Sequence, residues 1–172
     1  MHVSIGRILS GTPIWVFVLF AYLLWAGIQR LRPRVRQLAK IWITPGFFIA
    51  WGLIGLFQRP GDFSDVLSHW AIGAVIGGAL GLSLGIPMQV DRSRKLVFLP
   101  GSFLPLLRIL VIFGAHYWLQ VAAAIHEDQR AAYLAWDTYV SGGAAGYFLG
   151  WSVRFLQSYA KAPAAELSAG TP

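Results

Sequence analysis

The sequence predicts an all-α fold, a polytopic transmembrane helical bundle of about five spans, and three observations carry that expectation. Of 172 residues, 56% are hydrophobic and only 12% charged, with a mean hydropathy of +0.59. Soluble domains carry about a quarter charged residues. Five apolar segments, at 13–29, 41–57, 66–87, 104–124 and 134–157, each reach the about 17–25 residues that a bilayer core demands of a helix. Finally, GGALGLSLG at 77–85 recurs as GGAAGYFLG at 142–150, with six of nine positions identical and all four glycines kept. The recurrence suggests a duplicated two-helix hairpin, with chance similarity between two glycine-rich helices as the alternative.

The first segment reads as a retained helix. Only Arg7 precedes it and the basic cluster follows it, the reverse of a signal peptide. In the run Arg30-Leu31-Arg32-Pro33-Arg34-Val35-Arg36, Pro33 prevents a continuous helix. The second and third segments are joined by a short loop holding Arg59, Asp62 and Asp65. The connection 88–103 alternates apolar and polar residues around a charged tip, which suits a small β-hairpin or an extended strand. Pro100-Gly101 punctuates it, Ser102 can cap the fourth helix and Pro105 is tolerated in the first turn. Residues 1–160 form a single transmembrane domain, and 161–172, rich in Ala, Pro, Ser and Gly, are expected to be a disordered tail.

Lysine and arginine set the orientation. Arg30, Arg32, Arg34, Arg36, Lys40, Arg92, Arg94, Lys95, Arg154 and Lys161 fall on one side, and only Arg7, Arg59 and Arg130 on the other. Five spans then place the N-terminus out and the C-terminus in. Trp15, Trp25, Trp42, Trp70 and Trp136 fall near helix ends, as an interfacial belt requires, while Trp51, Trp118 and Trp151 lie deeper as packing or lipid-facing residues. The net charge of +7 is explained by these loops and by anionic lipid, so no nucleic-acid partner is expected.

Three groups of residues are candidates for a role. Gly73, Gly77, Gly81 and Gly85 recur at four-residue spacing on the third segment, and Gly142, Gly146 and Gly150 on the fifth. In lipid, such faces allow close backbone approach, within the chain or between copies. Asp137 is the one acidic residue inside a span. With His69, His116 and Gln120, the last two at i and i+4 on one face, it forms a candidate polar cavity toward the outer side. The alternative is that Asp137 reaches the headgroup zone or caps its helix, with His116 bonded to a neighbouring helix. The basic residues Arg30, Arg32, Arg34, Arg36 and Arg108 are candidate contacts for anionic lipid, with snorkelling sufficient for Arg108.

Cysteine is absent, which excludes thiol and iron–sulfur chemistry. His2, His69, His116 and His126 lack metal-ligand spacing, and no nucleophile elbow, Walker loop or dinucleotide fingerprint occurs. Neither enzymatic activity nor a cofactor or metal is expected.

Thr12-Pro13-Ile14-Trp15-Val16, Leu31-Arg32-Pro33-Arg34, Val90-Asp91-Arg92, Leu99-Pro100-Gly101-Ser102 and Leu104-Pro105-Leu106 form a series that resembles a family of small bacterial inner-membrane proteins known only as a domain of unknown function. The resemblance covers residues 12–157. It implies a multi-span fold in the bacterial inner membrane and brings no assigned activity and no catalytic residues. Three functions remain open: a non-enzymatic membrane protein acting through helix packing, as a homo-oligomer or a partner subunit; a small transporter or channel using the outer polar cavity; and, resting only on Arg108 and the basic loops, a membrane enzyme or lipid-binding protein.

Overall fold

The structure is a computed structural model that describes residues 11–59 and 61–167; Arg7, used in the orientation count, and residues 168–172 of the expected tail lie outside the described residues. The chain runs α1 (Ile14–Gln29), β1 (Arg34–Gln37), a single turn α2 (Leu38–Ile41), α3 (Ile43–Gln58), α4 (Phe63–Ser83), β2 (Gln89–Asp91), β3 (Leu96–Leu99), α5 (Leu104–Ile125), a 3-10 turn (Glu127–Gln129) and α6 (Arg130–Lys161). The helices match the five apolar segments to within a few residues. Among the described residues, three helical stretches are long and apolar enough to cross a membrane: Leu38–Gln58, Phe63–Ser83 and Leu104–Ile125. α1 is apolar but has 16 residues, and α6, at 32 residues, carries more polar groups.

Local chemistry explains the boundaries. Pro13, extended at φ −58° and ψ 141°, leads into α1. Pro45 sits in the first turn of α3, where a missing N–H breaks no helical bond. Asp62 caps α4, its Oδ1 accepting from the Ser64 N–H at 2.8 Å. The Ser102 hydroxyl accepts from the Leu104 N–H at 3.2 Å, and Pro105 follows within the first turn of α5.

α6 is the central element. It packs along the length of α4 and also meets α3 and α5. Gly142 rests on the Trp70 carbonyl, Gly146 on that of Ala74 and Gly150 on that of Gly78. In return, Gly73 lies against Tyr139, Gly77 against Gly143 and Gly81 against Tyr147. Residue numbers rise together on the two helices, so α4 and α6 run parallel. A Cβ at any of these six positions would collide with main chain, so only glycine permits the approach. Gly85 is different: it lies past the end of α4, nothing stands within 4 Å of a Cβ placed there, and it takes no part in the helix packing expected of it. The hairpin repeat is not carried into the packing either. α6 meets three helices, whereas α4 meets α6 almost alone.

The all-α expectation needs amending at one end. β2 and β3 form the antiparallel hairpin, and β1, drawn from the basic run, adds a third strand in the order β1-β3-β2, with Arg34 opposite Leu99 and Val90 opposite Val97. This sheet closes one end of the bundle. Its fully buried Val90 and Val97 pack with Met88 on Phe155 of α6, and Trp42 meets Phe155 edge-on at 5.5 Å. The tail expected to be disordered begins as an ordered strap. Val90 donates to the Pro163 carbonyl at 3.2 Å, Ala165 donates to Val90 at 3.0 Å, and the Leu167 N–H reaches Asp91 Oδ2 at 3.1 Å.

Large apolar side chains cover the outside: Ile14, Trp15, Trp51, Phe57, Val75 and Trp118 are all more than 60% exposed. Trp51 and Trp118 therefore face outward, while Trp151 packs on Phe155 at 5.3 Å. Such a surface is stable against lipid and not against water.

Candidate polar cavity

The end of the bundle opposite the sheet is formed by the close of α3, the start of α4, the close of α5 and the start of α6. Between them lies a cavity of about 650 Å³, lined by Gln58, Arg59, Asp62, Asp65, His69, Gln120, Asp137 and Thr138 among others.

Asp137 is the floor of this cavity. It lies seven residues into α6 and is 3% exposed. The expectation that it reaches the headgroup zone or caps its helix is therefore corrected, because the carboxylate is enclosed and bonded. Its Oδ1 meets His116 Nδ1 at 2.5 Å. Its Oδ2 accepts from Gln120 Nε2 at 3.1 Å and from Arg59 Nη2 at 2.8 Å. α5 presents His116 and Gln120 one turn apart on a single face, so both reach the same carboxylate. Arg59 follows the last residue of α3, and its guanidinium turns inward. It also donates to Thr138 Oγ1 at 2.9 Å and to the carbonyls of Leu134 and Asp137, each at 3.3 Å.

Three of the four expected cavity residues thus form one hydrogen-bonded group. His69 lines the cavity and packs on the Tyr139 ring at 4.8 Å, without bonding Asp137. Sequence reasoning missed Arg59, which it treated only as an outer-loop charge. A signal was present: a lone carboxylate in a span requires a cation, and Arg59 is the nearest to that level on a neighbouring segment.

The electrostatics are defined by connectivity. Asp137 Oδ2 and Arg59 Nη2, 2.8 Å apart, form an ion pair of opposite charges. A neutral His116 must place its proton on Nδ1 to serve Asp137 Oδ1, which leaves Nε2 as an open acceptor. The His116 side chain is 33% exposed, and His116 joins the group through Asp137 without lining the cavity itself.

The basic candidates gather at the sheet end, though not all together. Arg30, the C-cap of α1, donates to Thr44 Oγ1 at 3.2 Å. Burial, followed by the charges of Arg108, Arg34 and Arg36, pushes Arg30 down to about 10. Arg34 and Arg36 alternate on β1 and so share a face, and Arg34 is also lowered, by burial and then by Arg36. Arg108 does not simply snorkel: its guanidinium lies over the rings of Phe148 at 4.5 Å and Tyr147 at 5.2 Å. Arg32 is exposed. Asp91, the last residue of β2, accepts from Ser93 Oγ at 2.6 Å, Arg94 N at 3.0 Å and Leu167 N at 3.1 Å, and these bonds push it down to about 2.

Among the described residues, no group of three or more His, Asp or Glu is placed to hold a metal ion. No family model matches the chain, and neither a characterised protein nor a solved structure does.

Proposed function

We propose that the chain is a five-span bacterial inner-membrane protein, N-terminus out and C-terminus in, that acts as a small proton-coupled carrier. The observation that supports this reading is the buried Asp137 at the floor of an open polar cavity, shared by Arg59, Gln120 and His116. Asp62 and Asp65 at the mouth favour protons and small cations over anions. A proton added to the Asp137 group adds a positive charge to it, which an apolar surround disfavours. Relief comes from releasing the proton or rearranging the helices that enclose it, and that is the physical content of coupling. Membership of the small inner-membrane family belongs to the same proposal and rests on the motifs quoted above.

Action through helix packing, with a second copy or a partner subunit, is the weaker reading. Its main support was the glycine faces, and six of those seven glycines are occupied within the chain.

The absence of native cysteine gives a clean test. Ala135→Cys in the cavity lining should react with a membrane-impermeant maleimide in intact spheroplasts, while Gln37→Cys in β1 should react only after permeabilisation. The reverse pattern would refute the orientation, and an inert Ala135→Cys would refute a water-filled cavity.

A further inference from the structure

The sheet end holds a cluster of cations with no anion to match it. Arg30 leaves the end of α1 and reaches Thr44 at the start of α3; its carbonyl accepts from the Ser102 N–H at 3.1 Å and Gly27 lies against Leu106, which ties this end of α1 to the start of α5, where Arg108 sits. Arg108, one turn into α5, lies over Tyr147 and Phe148 of α6 with its Nε buried and without a hydrogen-bond partner. Arg34 and Arg36 on β1 add their charges to the field at Arg30. Among the described residues, the Arg and Lys ion pairs are confined to Arg59 with Asp137, at the other end of the molecule. The acids of the sheet end cannot serve. Asp91 is taken up by Ser93, Arg94 and Leu167, and Glu166 is exposed with no ion pair.

Partly burying several like charges without a counter-charge is costly. The aromatic faces under Arg108 offset part of that cost, since a ring face attracts a cation, yet its buried Nε has no partner. We propose that Arg30 and Arg108, supported by Thr44 and Arg34, form a binding site for a phosphate group at the membrane edge. The chemistry favours phosphate. Two planar guanidinium forks and a hydroxyl match an oxyanion with several acceptor oxygens, where lysines would supply only point charges. The phosphate belongs either to the headgroup of an anionic lipid or to a small soluble molecule. The site is separate from the Asp137 cavity and stands or falls independently of the carrier reading.

The test is thermal unfolding of the purified full chain in non-ionic detergent. It is titrated with short-chain phosphatidylglycerol, or with inorganic phosphate, each against a neutral control (phosphatidylcholine, or sodium chloride at equal ionic strength). A saturable rise in Tm is expected with at least one probe. A rise with phosphatidylglycerol alone assigns a lipid headgroup; a rise with inorganic phosphate assigns a soluble phosphate. Arg108→Gln should weaken the apparent affinity about tenfold or more, as loss of charge-assisted hydrogen bonds does. Lys40→Gln, which removes an exposed charge from the same end, should weaken it no more than about fivefold. Should Arg108→Gln fail to fold, Arg30→Gln carries the same expectation. No saturable rise with either probe, or equal losses in the arginine variants and Lys40→Gln, would overturn the site.

Discussion

A carboxylate enclosed by apolar helices must find a cation or a proton, and Asp137 finds Arg59, His116 and Gln120. Removing one member of such a pair strands the other. Asp137→Asn should therefore cost about 3 kcal/mol or more of stability through the unpaired Arg59. The double replacement Arg59→Met with Asp137→Leu should cost less than the sum of the single changes, and melting curves of the four proteins in micelles measure the coupling. His116, Gln120 and Asp137 could be read from the sequence because each is a polar residue in an apolar span. The sequence marks Arg59 only as the nearest cation at that level, and the packing of α3 on α6 is what shows its side chain turning inward. Asp91 is a second residue whose setting only the fold reveals. Its carboxyl is held at about 2 by hydrogen bonds to the charged form, from Ser93 first and then the Arg94 and Leu167 amides. The stabilisation this brings is present above the ordinary carboxylate range and is lost as pH falls from about 4 toward 2. Hydrogen exchange at Ala165 and Leu167 should accelerate over that window, and Asp91→Asn should show the fast exchange at neutral pH.

At the level of elements, glycine spacing revealed a close-packing face and concealed its extent. Gly73, Gly77 and Gly81 lie against α6, but the same four-residue rhythm includes Gly85, which follows the helix end at Ser83. Periodicity carries no information on where a helix stops; Gly85 just after the C-cap Leu84, with Pro87 two residues on, is instead the signature of a helix end. Gly81→Leu and Gly146→Leu should each cost about 3 kcal/mol or more, since the new side chain meets a backbone carbonyl that cannot move aside. Gly85→Leu should stay within about 0.5 kcal/mol. Thermal unfolding with size-exclusion profiles separates these outcomes, and equal effects at all three positions would contradict the packing described. The hairpin at β2 and β3 was legible in its alternation, whereas β1 was not. Arg34–Gln37 is four residues long with two arginines, and it becomes a strand only because Val97 and its neighbours offer an edge to pair with.

Across the whole molecule, the helices divide their labour. Three apolar helices and α1 present large side chains outward, and α6 collects the small and polar residues that the others enclose. That division explains why α6 carries the weakest hydropathy of the expected spans and yet the most buried residues. It also explains why α6, though the longest helix, is not among the three described helical stretches apolar enough to cross a membrane. One end is closed by the sheet and its strap, and the other opens to the Asp137 cavity. Proton uptake at that cavity is the claim on which the carrier reading depends. The most direct measurement uses the protein reconstituted in liposomes that enclose a pH-sensitive dye, with an imposed pH gradient and a potential clamped by valinomycin and potassium. Proton entry above that of protein-free liposomes, abolished by Asp137→Asn and strongly reduced by His116→Ala, is the expected result. Entry no faster than in protein-free liposomes, or entry unchanged by Asp137→Asn, would contradict it.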